Sequence, residues 1–285
     1  MGVNLASKIP DPTFDPSTIT RNLHSLFIKA TNPTEISHII KIMGDKCGGV
    51  DKINMKMIKT LSPFIVKPLA FIFNTCIAKG IWPTDLKKAD IIPVYKSGDK
   101  SNMSNYRPIS LISNLAKILE KVIYTLIRLY AYFHKYKIVS ESQFGFLSCI
   151  GTKQALHTVS DLIYNGLNES NAVIGTFLYL SKAFDTVNHD ILLKKMERYG
   201  VRGTTLELFK NYLSDRQHAV RLGDTGSEYK FVNAGVLQGS ILGPFLFLIY
   251  INDLLYLVPH VFSYADDTAV FTIKNNCNLA KIAMN

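Results

Sequence analysis

The chain has 285 residues, 47% hydrophobic and 19% charged, with a formal net charge of +10. That length and apolar content exclude a disordered tail and a small disulfide-stapled module, and allow one large domain or two ordinary ones. The charge is lopsided: residues 1–150 carry twenty Lys and Arg against ten Asp and Glu, while residues 151–285 carry twelve of each, so a polyanionic partner would be gripped by the first half.

The opening stretch MGVNLASKIPDPTFDPSTIT lacks an apolar core behind a basic start, so it is not a signal peptide. MGVNLAS meets the myristoylation pattern only in part, because Ala6 stands where Ser or Thr belongs. Residues 1–45 read as a leader plus one amphipathic helix, opened by Asn32-Pro33-Thr34 and striped by Ile36, Ile39, Ile40 and Met43. After the turn at Gly48-Gly49 a helix is expected to end near Pro63, with a second over 64–79 closed by Gly80. The runs 90-DIIPVY-95 and 106-YRPISL-111 flank 97-SGD-99 as a hairpin carrying Lys96, Lys100 and Arg107. A long helix is expected over about 114–133, with Leu115, Ile118, Leu119 and Val122 at helical spacing.

In the second half, 172-AVIGTFLYLS-181 reads as a fully buried strand. A helix follows His189-Asp190 and stops at Gly200; Thr204 and Glu207 have the spacing of a capping box for the next. The runs 217-QHAVRL-222 and 229-YKFVNAGV-236 form a hairpin around 223-GDTGSE-228. The apolar run 241-ILGPFLFLIYI-251 is too short to cross a bilayer as a helix, so it reads as a buried core helix. Two short strands close the pattern around Asp266-Asp267. The mixture, with helices segregated against an antiparallel sheet, is α+β.

The four cysteines, Cys47, Cys76, Cys149 and Cys277, never form C-x-x-C, which argues against a zinc site or disulfide framework and fits a reducing, intracellular location, cytoplasmic or nuclear. The seven histidines have no metal-ligand spacing, and no phosphate-binding glycine loop or Ser-His-Asp arrangement is visible. The chemistry-bearing signal is 264-YADD-267: two adjacent carboxylates at a tight turn repel unless cations sit beside them. By itself such a turn is usually a solvated one.

Eight ordered stretches change that weighting: KCGGVDKIN, LKKADIIPVYKSGDK, NYRPISLIS, LEKVI, SESQFGF, LSKAFDTVNHDILL, GVLQGSILGPFLFLIYINDL and YADD. Together they resemble the reverse transcriptase of non-LTR (LINE-type, jockey-like) retrotransposons over roughly residues 45–275. The resemblance implies RNA-directed DNA polymerisation with two Mg²⁺ ions on an RNA template and DNA primer, from deoxynucleoside triphosphates. It implies a right-hand polymerase fold, with fingers over 46–160 and a palm over 161–285 whose antiparallel sheet is packed by helices. The chain ends 18 residues after Asp267, where the family continues into a thumb, so the expectation is a truncated palm without one. No membrane partner is implied, and the oligomeric state is not legible.

Carried over by position, the resemblance makes Asp266 and Asp267 catalytic metal ligands, with Leu180 adding a backbone carbonyl. Lys96 and Arg107 become triphosphate contacts, Phe184 the aromatic under the incoming sugar, and Gln238-Gly239 the segment packing on nucleotide and template base. Three positions depart from the family. Leu237 replaces a proline, and Leu147 replaces the arginine expected after Phe144-Gly145-Phe146. Most consequential, the pattern L-D-L-S-K-A-F-D is here Leu178-Tyr179-Leu180-Ser181-Lys182-Ala183-Phe184-Asp185, so Tyr179 occupies the place of the bridging aspartate. A protonated phenol is a poor Mg²⁺ ligand, and its ring adds bulk. Asp185 and Asp190 are poor substitutes, because the family already has an aspartate at the first position and both lie beyond the strand end. The expectation is a degenerate polymerase; the alternative is a non-catalytic nucleic-acid-binding remnant or domesticated scaffold.

Overall fold

The computed structural model describes residues 14–45, 47–125 and 128–275. The partial myristoylation pattern, Cys277 and the last ten residues lie outside them. Among the described residues eight α-helices and eight strands form two separate sheets. The mixture of helices and sheets is α+β, as expected.

Helix α1 (Pro33–Ile42) starts where the sequence placed it. The Asn32 side chain accepts from the Glu35 amide, Pro33 fills the first turn, and Ile36, Ile39 and Ile40 are buried. Helix α2 (Met55–Lys79) corrects the expectation of two helices broken at Pro63: it runs 25 residues with Pro63 and Pro68 inside and Gly80 at its left-handed C-cap. Each proline removes a backbone bond and costs about 3 kcal/mol. Burial of Met55, Ile58, Leu69, Phe73 and Ile77 against α1 and the later helix α7 (Thr204–Leu213) offsets that cost. By length and composition alone, α2 could also cross a membrane, a possibility hidden while it was read as two pieces.

The helix expected over 114–133 is likewise two: α3 (Asn114–Tyr124) and α4 (Leu129–Lys135). The chain breaks where Arg128 turns inward. Its guanidinium pairs with Glu35 and donates to the carbonyls of Lys29 (2.9 Å), Ala30 (3.2 Å) and Val122 (2.9 Å). A buried cation with that many acceptors outweighs the continuity of one helix. Helix α5 (Thr152–Asn168) precedes the strand at 172, and helix α6 (His189–Arg198) precedes α7. Thr204 is the first residue of α7 and Gly203 is its cap, without a side-chain bond, so the expected capping box does not form. Helix α8 (Leu242–Ile251) is the buried core helix the apolar run implied.

The larger sheet joins β1 (Lys88–Tyr95), β2 (Tyr106–Ile112), β4 (Arg216–Leu222), β5 (Thr225–Gly226) and β6 (Lys230–Val232). Strands β1 and β2 form the expected hairpin, with Val94 opposite Arg107. Strand β4 adds to β1 in parallel, Ala89 opposite His218, so this sheet is mixed.

The smaller sheet is wholly antiparallel, in the order β3 (Ala172–Tyr179), β8 (Asp267–Lys274), β7 (Val261–Tyr264). Here the sequence reading fails on burial: β3 is not a fully buried strand, and its last five residues are exposed. Helix α5 packs over the far end of one face, where Gly166 sits so close to Val173 that a Cβ would lie 2.7 Å from it. The end of that face carrying Phe177 and Tyr179 stays open. Among the described residues β3 pairs only with β8 and stands at one edge of this sheet.

Candidate active site

The carboxylates sit on a two-residue hairpin loop. Tyr264 pairs with Asp267 across β7 and β8, leaving Ala265 and Asp266 as the loop, with Ala265 at φ +61°. A left-handed backbone at the first loop position matches the twist of an antiparallel pair, and for alanine it is strained. The strain is held by Gln143, buried beneath the turn. Its Oε1 accepts from the amides of Ala265 (3.0 Å) and Gly145 (2.8 Å), and its Nε2 donates to Ser263 Oγ (3.2 Å). The Ser263 hydroxyl donates to the Ala265 carbonyl at 2.9 Å. Gly145 passes so closely that a Cβ would lie 2.3 Å from the Ala265 nitrogen, so only glycine fits there.

Asp266 is half-buried in this turn and Asp267 is exposed. Directly opposite residues in an antiparallel ladder share a face. Tyr179 is the partner of Asp267 on β3, and Tyr264 is its partner on β7. Position 179 therefore lies beside the carboxylate turn, occupied by a ring that is 71% exposed. The ring meets the larger sheet's hairpin: Lys96 Nζ lies 5.7 Å from its centroid, a cation–π contact. The Lys96 amide donates to the Asn105 carbonyl at 2.8 Å, closing the loop that carries it. Arg107 is exposed on β2. Leu180 follows β3 and packs its side chain on the core.

Phe184 and Gln238-Gly239 belong to a tightly built shell beside this corner. Phe184 stacks on Phe247 of α8 at 4.4 Å with 14° between the planes, and meets Phe146 edge-on at 5.9 Å. The Gln238 carbonyl accepts from the Ser110 amide at 2.7 Å, and Gly239, at φ +119°, lies where a Cβ would be 2.8 Å from the Ser110 carbonyl oxygen. Gln238 Nε2 donates to Asp185 Oδ1 at 2.9 Å. Burial pushes the Asp185 carboxyl above its ordinary range, opposed by that hydrogen bond.

Sequence reasoning missed three supporting residues. Gln143 is a polar residue within SESQFGF, and nothing in its spacing marks it. Asp185, which the sequence offers only as a poor substitute metal ligand, holds Gln238 instead. Glu120, fully buried in α3, accepts from Tyr212 Oη (2.8 Å) and from the amides of Ile241 (2.6 Å) and Leu242 (3.4 Å), capping α8. A glutamate set among the apolar helical positions Leu119, Val122 and Ile123 of LEKVI was the available signal.

Two divalent ions bridged at one corner need several oxygen ligands each. The side-chain oxygens offered here are the carboxylates of Asp266 and Asp267 and the phenol of Tyr179. Among the described residues no three His, Cys, Asp or Glu side chains gather into a metal-binding group, so neither Asp185 nor Asp190 joins the pair. This donor set does not fit two bridged ions.

The chain matches the family described as reverse transcriptase (RNA-dependent DNA polymerase) over residues 92–283. It is 31% identical over 289 residues to the RNA-directed DNA polymerase from the mobile element jockey of Drosophila melanogaster, covering 94% of this chain and 31% of that protein. It is 31% identical to the probable RNA-directed DNA polymerase from transposon BS of the same species, covering 90% of this chain and 29% of that protein. For the probable polymerase of transposon X-element, also from that fly, identity is 30%, covering 86% of this chain and 27% of the relative. The chain thus spans about a third of the length of the curated relatives it matches. It belongs to the reverse transcriptase family, as a domain of the non-LTR retrotransposon type.

Proposed function

We propose that residues 46–160 are the fingers and residues 161–285 the palm of a right-hand polymerase. The cleft between the basic hairpin and the carboxylate turn receives an RNA template, a DNA primer and a deoxynucleoside triphosphate. In this reading Lys96 and Arg107 meet the triphosphate, Phe184 underlies the sugar, and Gln238-Gly239 packs on the base. Asp266, Asp267 and the Leu180 carbonyl would be the ligands left to hold a metal, too few for two bridged ions. Nucleotidyl transfer by this chain is strongly impaired, because the third carboxylate is replaced by Tyr179. The setting we propose is intracellular, in line with the free thiols of Cys47, Cys76 and Cys149.

One observation carries this reading. The ladder register puts Tyr179 opposite Asp267, which supports position 179 as the family's bridging site and argues against a misaligned motif. A second reading, nucleic-acid binding without synthesis, is favoured by the Lys96–Tyr179 contact, since the basic hairpin keeps its cation while the metal corner has lost its ligand.

Primer extension on an RNA template, with Mg²⁺ and then Mn²⁺, tests both. A restored metal corner is worth several kcal/mol of barrier, so the Tyr179→Asp variant should extend roughly 10³-fold faster than the natural chain. Equal extension by the natural chain sinks the claim of impairment. If neither chain extends but both bind primer–template, the binding reading stands.

A further inference from the structure

One side-chain pair in the packed shell has a polarity that packing alone does not set. Lys182, at φ +52°, leads into the short turn Ala183–Thr186, where the Asp185 amide donates to the Lys182 carbonyl at 2.8 Å. The run 235–238 lies back to back with that turn. The Val236 amide donates to the Phe184 carbonyl and the Gly235 amide to the Val187 carbonyl, both at 2.7 Å. Gly235, at φ +88°, is pressed so close that a Cβ would lie 2.9 Å from the Asp185 carbonyl oxygen and 3.0 Å from its Cα. His189 Nε2 meets the Gly235 carbonyl at 2.8 Å from the side of α6, and Ser110 of β2 holds the Gln238 carbonyl. Asp185 and Gln238 thus stand on backbone fixed from several directions, and their side chains meet at 2.9 Å.

What such a frame leaves open is the sense of the Gln238 amide. Its two ends have nearly the same shape and opposite character: Oε1 only accepts, and Nε2 only donates. An ionised carboxylate only accepts, so it admits Nε2 and refuses Oε1. We infer that Asp185 is a positioning residue, whose carboxylate fixes the sense of the Gln238 amide, so that Oε1 and the second Nε2 proton are offered to a nucleotide in one constant arrangement. The nucleotide as the occupant rests on the polymerase reading above; the hold of Asp185 on Gln238 does not. The bond is charge-assisted, so it is stronger than a neutral pair would make. An amide already set also has no rotamer freedom left to lose when a ligand arrives. Asparagine at position 185 would keep the shape and the contact but lose the sense, because its own amide can meet either end of the glutamine.

The chain has four glutamines, Gln143, Gln154, Gln217 and Gln238, so nitrogen-15 labelling of glutamine side chains gives four amide signals in an NMR spectrum. The Gln238 signal is identified by its loss in Gln238→Met. In the natural chain it should be a single form, with one proton shifted downfield by the carboxylate. In Asp185→Asn it should move towards an unbonded glutamine amide, while the other three signals stay in place and report an intact fold. A Gln238 signal that already matches free glutamine in the natural chain, or one unmoved by Asp185→Asn, overturns the inference and leaves the polymerase reading standing. Primer extension in the Tyr179→Asp background reads the ligand. There Asp185→Asn should raise the nucleotide KM about tenfold, as the loss of one charge-assisted hydrogen bond implies, and leave kcat within about twofold. An unchanged KM beside a moved NMR signal overturns the positioning of nucleotide, and the fault then lies in the place the polymerase reading gives Gln238, since the pair itself has been seen.

Discussion

Two corners of the cleft, side by side, are built on opposite principles. The shell of Phe184, Phe247, Asp185, Gln238 and Gly239 is packed and cross-bonded, with Phe247 1% exposed and Glu120 capping its helix from inside. The carboxylate corner is open, its floor strand exposed and its decisive position held by a ring in solvent. A buried residue is constrained by every neighbour it touches, so its replacement costs stability at once. An exposed residue is constrained only by its chemistry. The comparison teaches that a substitution at the exposed corner, such as one at position 179, can change the chemistry on offer while the fold registers little.

The sharpest way to break that comparison is at position 179. Tyr179→Asp is expected to raise primer extension roughly 10³-fold while moving unfolding free energy by less than about 0.5 kcal/mol in urea titration. A large loss of stability would mean the ring supports the fold. The packed corner should behave the other way. Phe247→Ala removes a buried ring and its stack on Phe184, and should cost about 3–5 kcal/mol by the same titration. A cost below about 1 kcal/mol would make that shell no firmer than the open corner.

A smaller effect tests the sheet that carries the basic hairpin. Burial, with help from Arg216, lowers the His218 imidazole to about 4 from its ordinary 6.5. Below pH 6.5 the unfolded chain takes up a proton that the folded chain refuses. The stability His218 gives is therefore complete above pH 6.5 and drains away as pH falls towards 4, by about 2 kcal/mol at pH 5. His189, also lowered by burial, adds to the same slope. His218→Gln should flatten the thermal midpoint between pH 7 and 5; an unchanged slope would place the titration elsewhere. Smallest of all, Ala265→Gly should stabilise the chain by about 0.5–1 kcal/mol, by relieving the left-handed backbone at the carboxylate turn. No gain in thermal midpoint would mean Gln143 already absorbs the strain.

The parts legible in the sequence were those with local signatures. Asn32-Pro33 and Gly80 marked helix ends, the alternating runs marked the β1–β2 hairpin, and the run 241–251 marked α8. That the strand at 172 ends beside the carboxylate turn is given by the ladder, which pairs Tyr179 with Asp267. What failed depended on tertiary partners. Pro63 and Pro68 do not break α2, because long-range burial outweighs two missing bonds. Arg128 breaks the helix expected over 114–133 to reach Glu35 and the carbonyls of Lys29 and Ala30 far away in sequence, besides that of nearby Val122. The apolar run of β3 looked buried because apolarity alone cannot distinguish a core strand from an uncovered one. Within the candidate site, the resemblance named the motif residues, but the buried Gln143 beneath the turn and Glu120 behind α8 were not legible, since each acts through amides distant in sequence.

The outer edge of β3, which no other described strand covers, has a consequence for handling the protein. It ends in Phe177-Leu178-Tyr179, an exposed, uncharged segment with high strand propensity. Such an edge is a template on which another copy's strand can add. The chain therefore carries its own concentration ceiling, set by strand addition along this edge, and a lysine placed at Leu178 would raise it.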